Sequence, residues 1–530
     1  MGSDRESQSG LPTSILRALP TVLGVLAYFL VSWAPVVAVF SQLSPQVLLS
    51  LHCEARRVTL LVRSFSWAVL VGLLGMMLGV VAALALWRCR HGWGAAARWL
   101  FLAGAALPPY THILAWWSVL RFLNHSLSGV GLMALPQRGG LISLWVQMMA
   151  QLPLVAGLAL VGFLSIETSL IEAGCIYQTG PRVFRRIVLP LARPMVLAGG
   201  ALLFVLALVD YGIPSTFQFP TAALEVFVEF GASASVGRAT ALALPALLVA
   251  ALALAMSLAG LRKAVLTKGQ PRRVASSSPA LNISRIWLWA ALALLLLQAV
   301  LPVVSLLLSV KSWRNLLDAL VGAIPELQTS LWTAGVAALL SPLVALAPAR
   351  TLAAGRARLG VWFLLLVPVA MPGALVGIGL VSLWSRLAVT PYGTRWMPVL
   401  AALARFTPMA IPVLVAQRRR MAEPLIEAAR VFARPWDVWW RVELPMTLPG
   451  LVSAACLVFV LTLGELGATL IVVPPGYATL TMRIYTYLHY GASEGVAALS
   501  LALSLICLLV GALGFMVWRL WSRAAMRVGV

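Results

Sequence analysis

Long apolar runs follow one another along almost the whole chain, each near the ~20 residues that an α-helix needs to cross a bilayer. They fall at about 18–40, 58–87, 99–123, 141–164, 195–220, 238–261, 286–310, 326–349, 360–385, 397–417, 446–473 and 493–518. Inside lipid a backbone N–H or C=O has no water to bond, and an α-helix satisfies these groups within one segment. The sequence therefore predicts an all-α polytopic membrane protein of about 12 transmembrane helices. Composition agrees. Of 530 residues, 61% are hydrophobic and 10% are charged, against roughly 25% charged in a soluble domain.

The formal net charge of +23 comes almost wholly from Arg. These residues sit in short segments between the runs, such as Arg182, Arg185, Arg186 and Arg193, or Arg418, Arg419 and Arg420. Basic segments alternate with segments poor in Arg and Lys, which is the positive-inside bias. That pattern argues against a nucleic-acid partner and makes the lipid bilayer the surrounding medium. It also predicts both termini in the cytoplasm. The five cysteines, at 53, 89, 175, 456 and 507, are scattered without a C-x-x-C. Neither a disulfide framework nor a metal site is expected from them. No nucleophile–base pair stands out either, so a transport subunit is expected rather than an enzyme. The polar stretch up to Arg17 lacks the order of a signal peptide.

An internal repeat divides the chain. Leu170-Ile-Glu-Ala-Gly matches Leu425-Ile-Glu-Ala-Ala at an offset of 255 residues. The same offset pairs Pro153 with Pro408, Leu189-Pro190 with Leu444-Pro445, and Pro194 with Pro449. It also pairs Asp210 with Glu465 and Gly212 with Gly467. Two halves follow, 1–261 and 286–530, each with about six spans. They are joined by a basic cytoplasmic linker at 262–285 that contains Lys-Gly-Gln-Pro-Arg-Arg and Ser-Ser-Ser-Pro. An even number of spans gives the halves the same orientation, as parallel repeats with a path between them.

Two cytoplasmic loops, 165–195 and 418–445, occupy equivalent places after the fourth span of each half. Leu170, Ala173, Gly174 and Tyr177 follow i, i+3, i+4, i+7 spacing, and Leu425, Ala428, Ala429 and Phe432 repeat it. Each set makes one apolar helical face, with small residues that would let another surface come close and an aromatic that could fill a pocket. Glu172 and Glu427 lie near the predicted helix starts, where a carboxylate suits the dipole. A short helix lying on the bilayer is the plain alternative for one such loop; two matched copies favour a shared docking role.

Asp210 and Glu465, each followed by a glycine at Gly212 and Gly467, lie near the outer ends of spans five and eleven. An acid at mid-helix costs about 2.5–3.5 kcal/mol on insertion scales, so such residues face the bundle interior. The four are candidates for the translocation path. Hydrogen bonding or capping at a helix end is the alternative.

The segments Glu172-Ala-Gly to Ile187-Val-Leu-Pro190 and Glu427-Ala-Ala to Val442-Glu-Leu-Pro445 resemble the EAA signature of type I ABC importer permeases, the MetI-like family. Gln178 and Ala433 stand where that signature has Gly, and each copy is one residue short. The resemblance implies that 165–195 and 418–445 hold coupling helices that sit in clefts of an ATPase dimer. It implies an extracytoplasmic substrate-binding protein as a further partner, and a place in the bacterial cytoplasmic (inner) membrane. ATP and Mg would be held by the ATPase, because no G-x-x-x-x-G-K-[ST] occurs in this chain. The two halves fused in one chain resemble ferric-iron and thiamine permeases, so ferric iron is the expected cargo, with thiamine, phosphonate or another small solute as alternatives. A proton-coupled secondary transporter, with Asp210 and Glu465 as a relay, is the rival from another class. It leaves the paired docking loops unexplained.

The charge pattern fixes a topology test. In Lys268→Cys the thiol should resist an impermeant reagent added to intact cells, and in Pro475→Cys it should react. Reaction of position 268 from outside would reverse the orientation.

Overall fold

The computed structural model describes residues 13–51, 55–88, 98, 100–130, 132–266, 285–310, 312–355, 357–387, 390–421, 423–490 and 493–527. Among them every regular element is helical. In the first half these include α1 (Thr13–Ser32), α2 (Ala34–Phe40), α3 (Ala55–Arg88), α4 (Pro109–Gly129) and α5 (Gly140–Leu164). They continue with α6 (Thr168–Tyr177), α7 (Leu189–Val209), α8 (Ala222–Ser233) and α9 (Val236–Leu266). The second half repeats the order with α10 (Leu301–Ser309), α11 (Ile324–Ala353), α12 (Leu359–Leu366) and α13 (Gly373–Leu387). Then come α14 (Trp396–Arg420), α15 (Glu423–Phe432), α16 (Leu444–Leu463), α17 (Leu480–Tyr490) and α18 (Ser493–Arg527). Most of the linker read at 262–285 lies outside the described residues, although α9 carries helix on to Leu266.

Nine helices among the described residues are long and apolar enough to cross a membrane, and two bent pairs raise the number to as many as 11. The predicted run 99–123 is not among them. Part of its approach, 89–97 and 99, lies outside the described residues, and the remainder is broken before α4. The cause is a proline. Leu107, ahead of Pro108, is extended (φ −71°, ψ 124°), as a pre-proline residue prefers. Met371, ahead of Pro372, takes the same form (φ −75°, ψ 127°), and the chain bends there by 92°. The third span of the second half is therefore two short arms, and in the first half the helix is likewise interrupted ahead of α4.

Spans five and eleven also differ from the sequence expectation. They begin earlier than 195 and 446, as continuous helical runs over Gly180–Val209 and Pro435–Leu463. Each passes through a single π-helical turn, Phe184–Val188 in one and Trp439–Glu443 in the other. Pro190 and Pro445 follow those turns. Proline cannot donate to the carbonyl four residues back and its ring crowds that carbonyl, so a wider turn accommodates it. Both runs stop short of 220 and 473, because the helix ends at Val209 and at Leu463.

Within each half three helices pack mutually, α3 with α5 and α7, and α11 with α14 and α16. The first helix of each half crosses to the other. Helix α1 packs on α11 and α14, while α10 packs on α4. Tyr28 is buried in the second-half core and donates its hydroxyl to the Leu365 carbonyl. Trp33 Nε1 donates to the Leu364 carbonyl at 3.1 Å. Pro368 has no N–H to offer that carbonyl, so the indole fills the gap.

Close backbone approach fixes the crossing of α2 and α13. A Cβ on Gly379 would fall against the Pro35 carbonyl, whereas one on Gly335 would meet nothing within 4 Å. Gly379→Ala should therefore lower the melting temperature of the purified protein, at about 1–3 kcal/mol for overpacking. Gly335→Ala should leave it unchanged or raise it, since alanine is the better helix former by ~1 kcal/mol. Equal melting of the two variants would sink this account of the crossing.

Candidate docking helices and central polar cluster

The two loops read as docking elements fold alike to the residue. Helices α6 and α15, then short helices Gly180–Val183 and Pro435–Val438, then the π turns, all start and end at a constant offset of 255. Leu170, Glu172, Ala173, Leu425, Glu427 and Ala428 are exposed. Tyr177 and Phe432 are the most open, at 86% and 89%. Ile171 and Ile426 anchor the opposite side in the core.

The small residues do not all face one way. A Cβ on Gly174 would lie 2.6 Å from Ile187 Cδ1, so Gly174 permits packing against the loop's own π turn. Ala429 packs against the cluster of Met421, Ile426 and Val438. The face left open is thus Leu170, Ala173 and Tyr177, with Leu425, Ala428 and Phe432 in the second copy. The acids also sit differently from expectation. Since α6 begins at Thr168 and α15 at Glu423, Glu172 and Glu427 lie one turn inside. Glu423 holds the first-turn position in α15.

Asp210 and Glu465 mark the two helix ends in the interior. Asp210 is the C-cap of α7, and its Oδ1 accepts the Gly212 N–H at 3.0 Å. Short helices, Gly212–Thr216 and Thr469–Val472, resume beyond each break. Glu465, 5% exposed, pairs with Arg405 of α14 and accepts the Ala468 N–H at 2.7 Å. Its Oε1 lies 3.0 Å from where a Gly373 Cβ would be, at the start of α13, where the helix dipole favours a carboxylate. Gly467 lies against the same carboxylate and Gly373. Gly212 similarly leaves room for Tyr110 Oη, 2.8 Å from its would-be Cβ.

The two breaks meet between the halves. Tyr211 and Ala374 share one apolar cluster, a Gly464 Cβ would be 3.7 Å from Pro109 Cδ, and Asp210 lies within electrostatic reach of both Arg405 and Glu465. The arrangement is a polar cluster at the inner ends of the broken third spans. Sequence reasoning missed Arg405 as a partner. The signal was available, because an arginine within a span demands a counter-charge. Among the described residues no group of three or more His, Cys, Asp or Glu could hold a metal ion.

Comparison with known proteins agrees with this architecture. The chain is 31% identical over 145 residues to a 2-aminoethylphosphonate transport system permease protein, PhnV, of Salmonella paratyphi A, covering 27% of this chain and 55% of that protein. It is 30% identical over 170 residues to the putrescine transport system permease protein PotI of Escherichia coli, 31% of this chain and 59% of that one. It is 33% identical over 210 residues to the molybdenum transport system permease protein ModB of Mycobacterium tuberculosis, 36% of this chain and 77% of ModB. It spans about half the length of the first of these relatives. No family model and no solved structure matches it. A multi-pass membrane protein with this repeat and these relatives belongs to the permeases of ABC transport systems.

The ion pair gives a stability test. Removing one partner of a buried pair leaves a stranded charge and costs about 3–5 kcal/mol, while replacing both with apolar residues is far milder. Glu465→Leu and Arg405→Leu should each lower the melting temperature, and the double variant should recover much of the loss. Additive losses in the double variant would show that the pair does not act as a unit.

Proposed function

We propose that this chain is the membrane permease of an ATP-driven importer. In this reading two ATPase subunits, carrying ATP and Mg, dock on α6 and α15. An extracytoplasmic binding protein delivers the solute, which crosses between the halves past Asp210, Gly212, Glu465 and Gly467. The membrane is the bacterial inner membrane, with both termini inside. The observation that carries the reading is the pair of exposed apolar faces, Leu170/Ala173/Tyr177 and Leu425/Ala428/Phe432, on identically built helices. A large exposed aromatic beside small residues is poorly suited to water and well suited to a partner's cleft. Each docking helix precedes the π turn of a span that ends at the central cluster, so a push on the helix has a rigid route inward.

Ferric iron is the cargo we put first, on the resemblance of a fused two-half permease. The names of the matched relatives point to other cargoes, namely 2-aminoethylphosphonate, putrescine and molybdenum. Uptake into proteoliposomes should be assayed with ferric iron, thiamine, phosphonate, putrescine and molybdate side by side. Uptake that follows a proton gradient without ATP would favour the secondary-transporter reading instead.

Docking is tested on the open face rather than the packed one. Ala173→Trp and Ala428→Trp should weaken ATPase association and lower solute-stimulated hydrolysis and uptake, at about 1–3 kcal/mol of overpacking per site. Both variants should insert normally, since neither residue touches the core. Unchanged association and uptake for both would exclude α6 and α15 as the docking elements.

A further inference from the structure

The two docking helices are built alike but attached differently. In the second half a single buried carboxylate ties α15 to the bundle beside the apolar anchor of Ile426 and Ala429. Glu443, in the π turn, accepts from Arg430 Nη2 of α15 at 2.8 Å and from Arg418 Nη1 of α14 at 3.3 Å. Arg350 Nη2, near the end of α11, lies 3.5 Å away. The Glu443 side chain is 8% exposed, while those arginines range from 24% to 56%.

The first half has none of this chemistry at the equivalent positions. The offset of 255 places Val188, Phe163 and Cys175 where the second half has Glu443, Arg418 and Arg430. Ser64 and Ser330 accept equivalent backbone N–H groups, from Ala222 and Leu480, each at 2.8 Å. Their registration places Leu84 where Arg350 stands. Leu84, Phe163 and Val188 are buried in one apolar cluster, and Cys175 packs against it.

We propose that α15, besides its apolar anchor, is held by an electrostatic clamp centred on Glu443, whereas the equivalent positions around α6 are closed by apolar packing, so that the two docking helices respond differently to salt and to loss of charge. Apolar contact is non-directional and survives added salt. A charge network is directional, and removing one member leaves the others stranded. Here the imbalance is sharp, because three arginines share one carboxylate. Without Glu443 they repel one another across α11, α14 and α15. Glu443 is thus a positioning residue for the second docking helix alone. Its consequence for transport rests on the docking role proposed above, but the clamp itself can be measured in the permease without its partners.

Amide hydrogen exchange on the full-length purified protein is the direct test. Charge-assisted hydrogen bonds are strong enough that Glu443→Gln should speed exchange in 423–432 by about tenfold or more. Exchange in 168–177 should stay unchanged. Raising the salt concentration should act in the same sense on the same segment. If Glu443→Gln does not insert, Arg430→Gln removes only the half-exposed partner and should give a smaller change confined to 423–432. The combined replacement Arg350→Leu, Arg418→Phe, Arg430→Cys and Glu443→Val gives the second half the residues of the first. It should restore protection and abolish the salt response. Equal responses of the two segments, or no response of 423–432 to either single variant, would overturn the clamp. A selective exchange response with unaltered ATPase association would leave the clamp standing and tell against the docking reading.

Discussion

A backbone amide or carbonyl in lipid must find its partner in protein, and the helix interruptions of this fold are arranged around that requirement. Among the described residues each half has a proline break in its third span and a break after its fifth, and α1 and α2 meet at a further bend of 47°. Several of the groups they expose find partners elsewhere in the protein. The Leu364 carbonyl, deprived of a donor by Pro368, takes the Trp33 indole. The Ala468 N–H finds Glu465, and the Gly212 N–H finds Asp210. The N–H groups that open α8 and α17 find Ser64 and Ser330. Such groups are costly to leave unpaired, so breaks are stable only where protein closes over them.

That requirement explains why the halves trade their first helices. Helix α1 brings Tyr28 and Trp33 to the broken third span of the second half, and α10 packs on α4 of the first. The halves are therefore mutually dependent, each completing the other beside its interrupted span. The central polar cluster lies where the inner ends of those spans converge, beside the helix breaks at Asp210 and Glu465.

Much of this was legible in the sequence, and the limits have physical causes. Most of the spans, the repeat and the matched helices α6 and α15 follow from apolar runs and a repeated offset, whereas the run 99–123 is broken. Helix starts at Gly180 and Pro435 were hidden because Arg185, Arg186 and Pro190 look like loop residues, and hydropathy cannot register a π turn. The inward turn of Gly174 and Ala429 was hidden because i, i+4 spacing places residues on one helical stripe without saying which edge of it the bundle covers. Arg405 stood in plain view within a span, yet its partner lies 60 residues away, and only packing brings them together. Glu443 was harder still, since it occupies a variable position of the docking signature and carries no mark of burial.

The two halves share their backbone geometry more closely than their side-chain chemistry. Element boundaries in the docking loops are copied to the residue, while side chains at the same sites differ in kind. On the pair α3 and α8 the acid is Glu225, bonded to Arg56 at 3.4 Å. On the pair α11 and α17 the charges are reversed, with Arg483 bonded to Glu326 at 2.8 Å. Thr221 and Thr479 cap the two short helices at registered positions, and that registration sets Glu225 opposite Arg483. Backbone placement is constrained by the pairing of its own polar groups, and it is the same in both copies. A side-chain contact needs only to be closed, whether by opposite charges or by apolar packing. Two copies joined in one chain are always present together, so either can change its chemistry as long as each contact keeps its own partner.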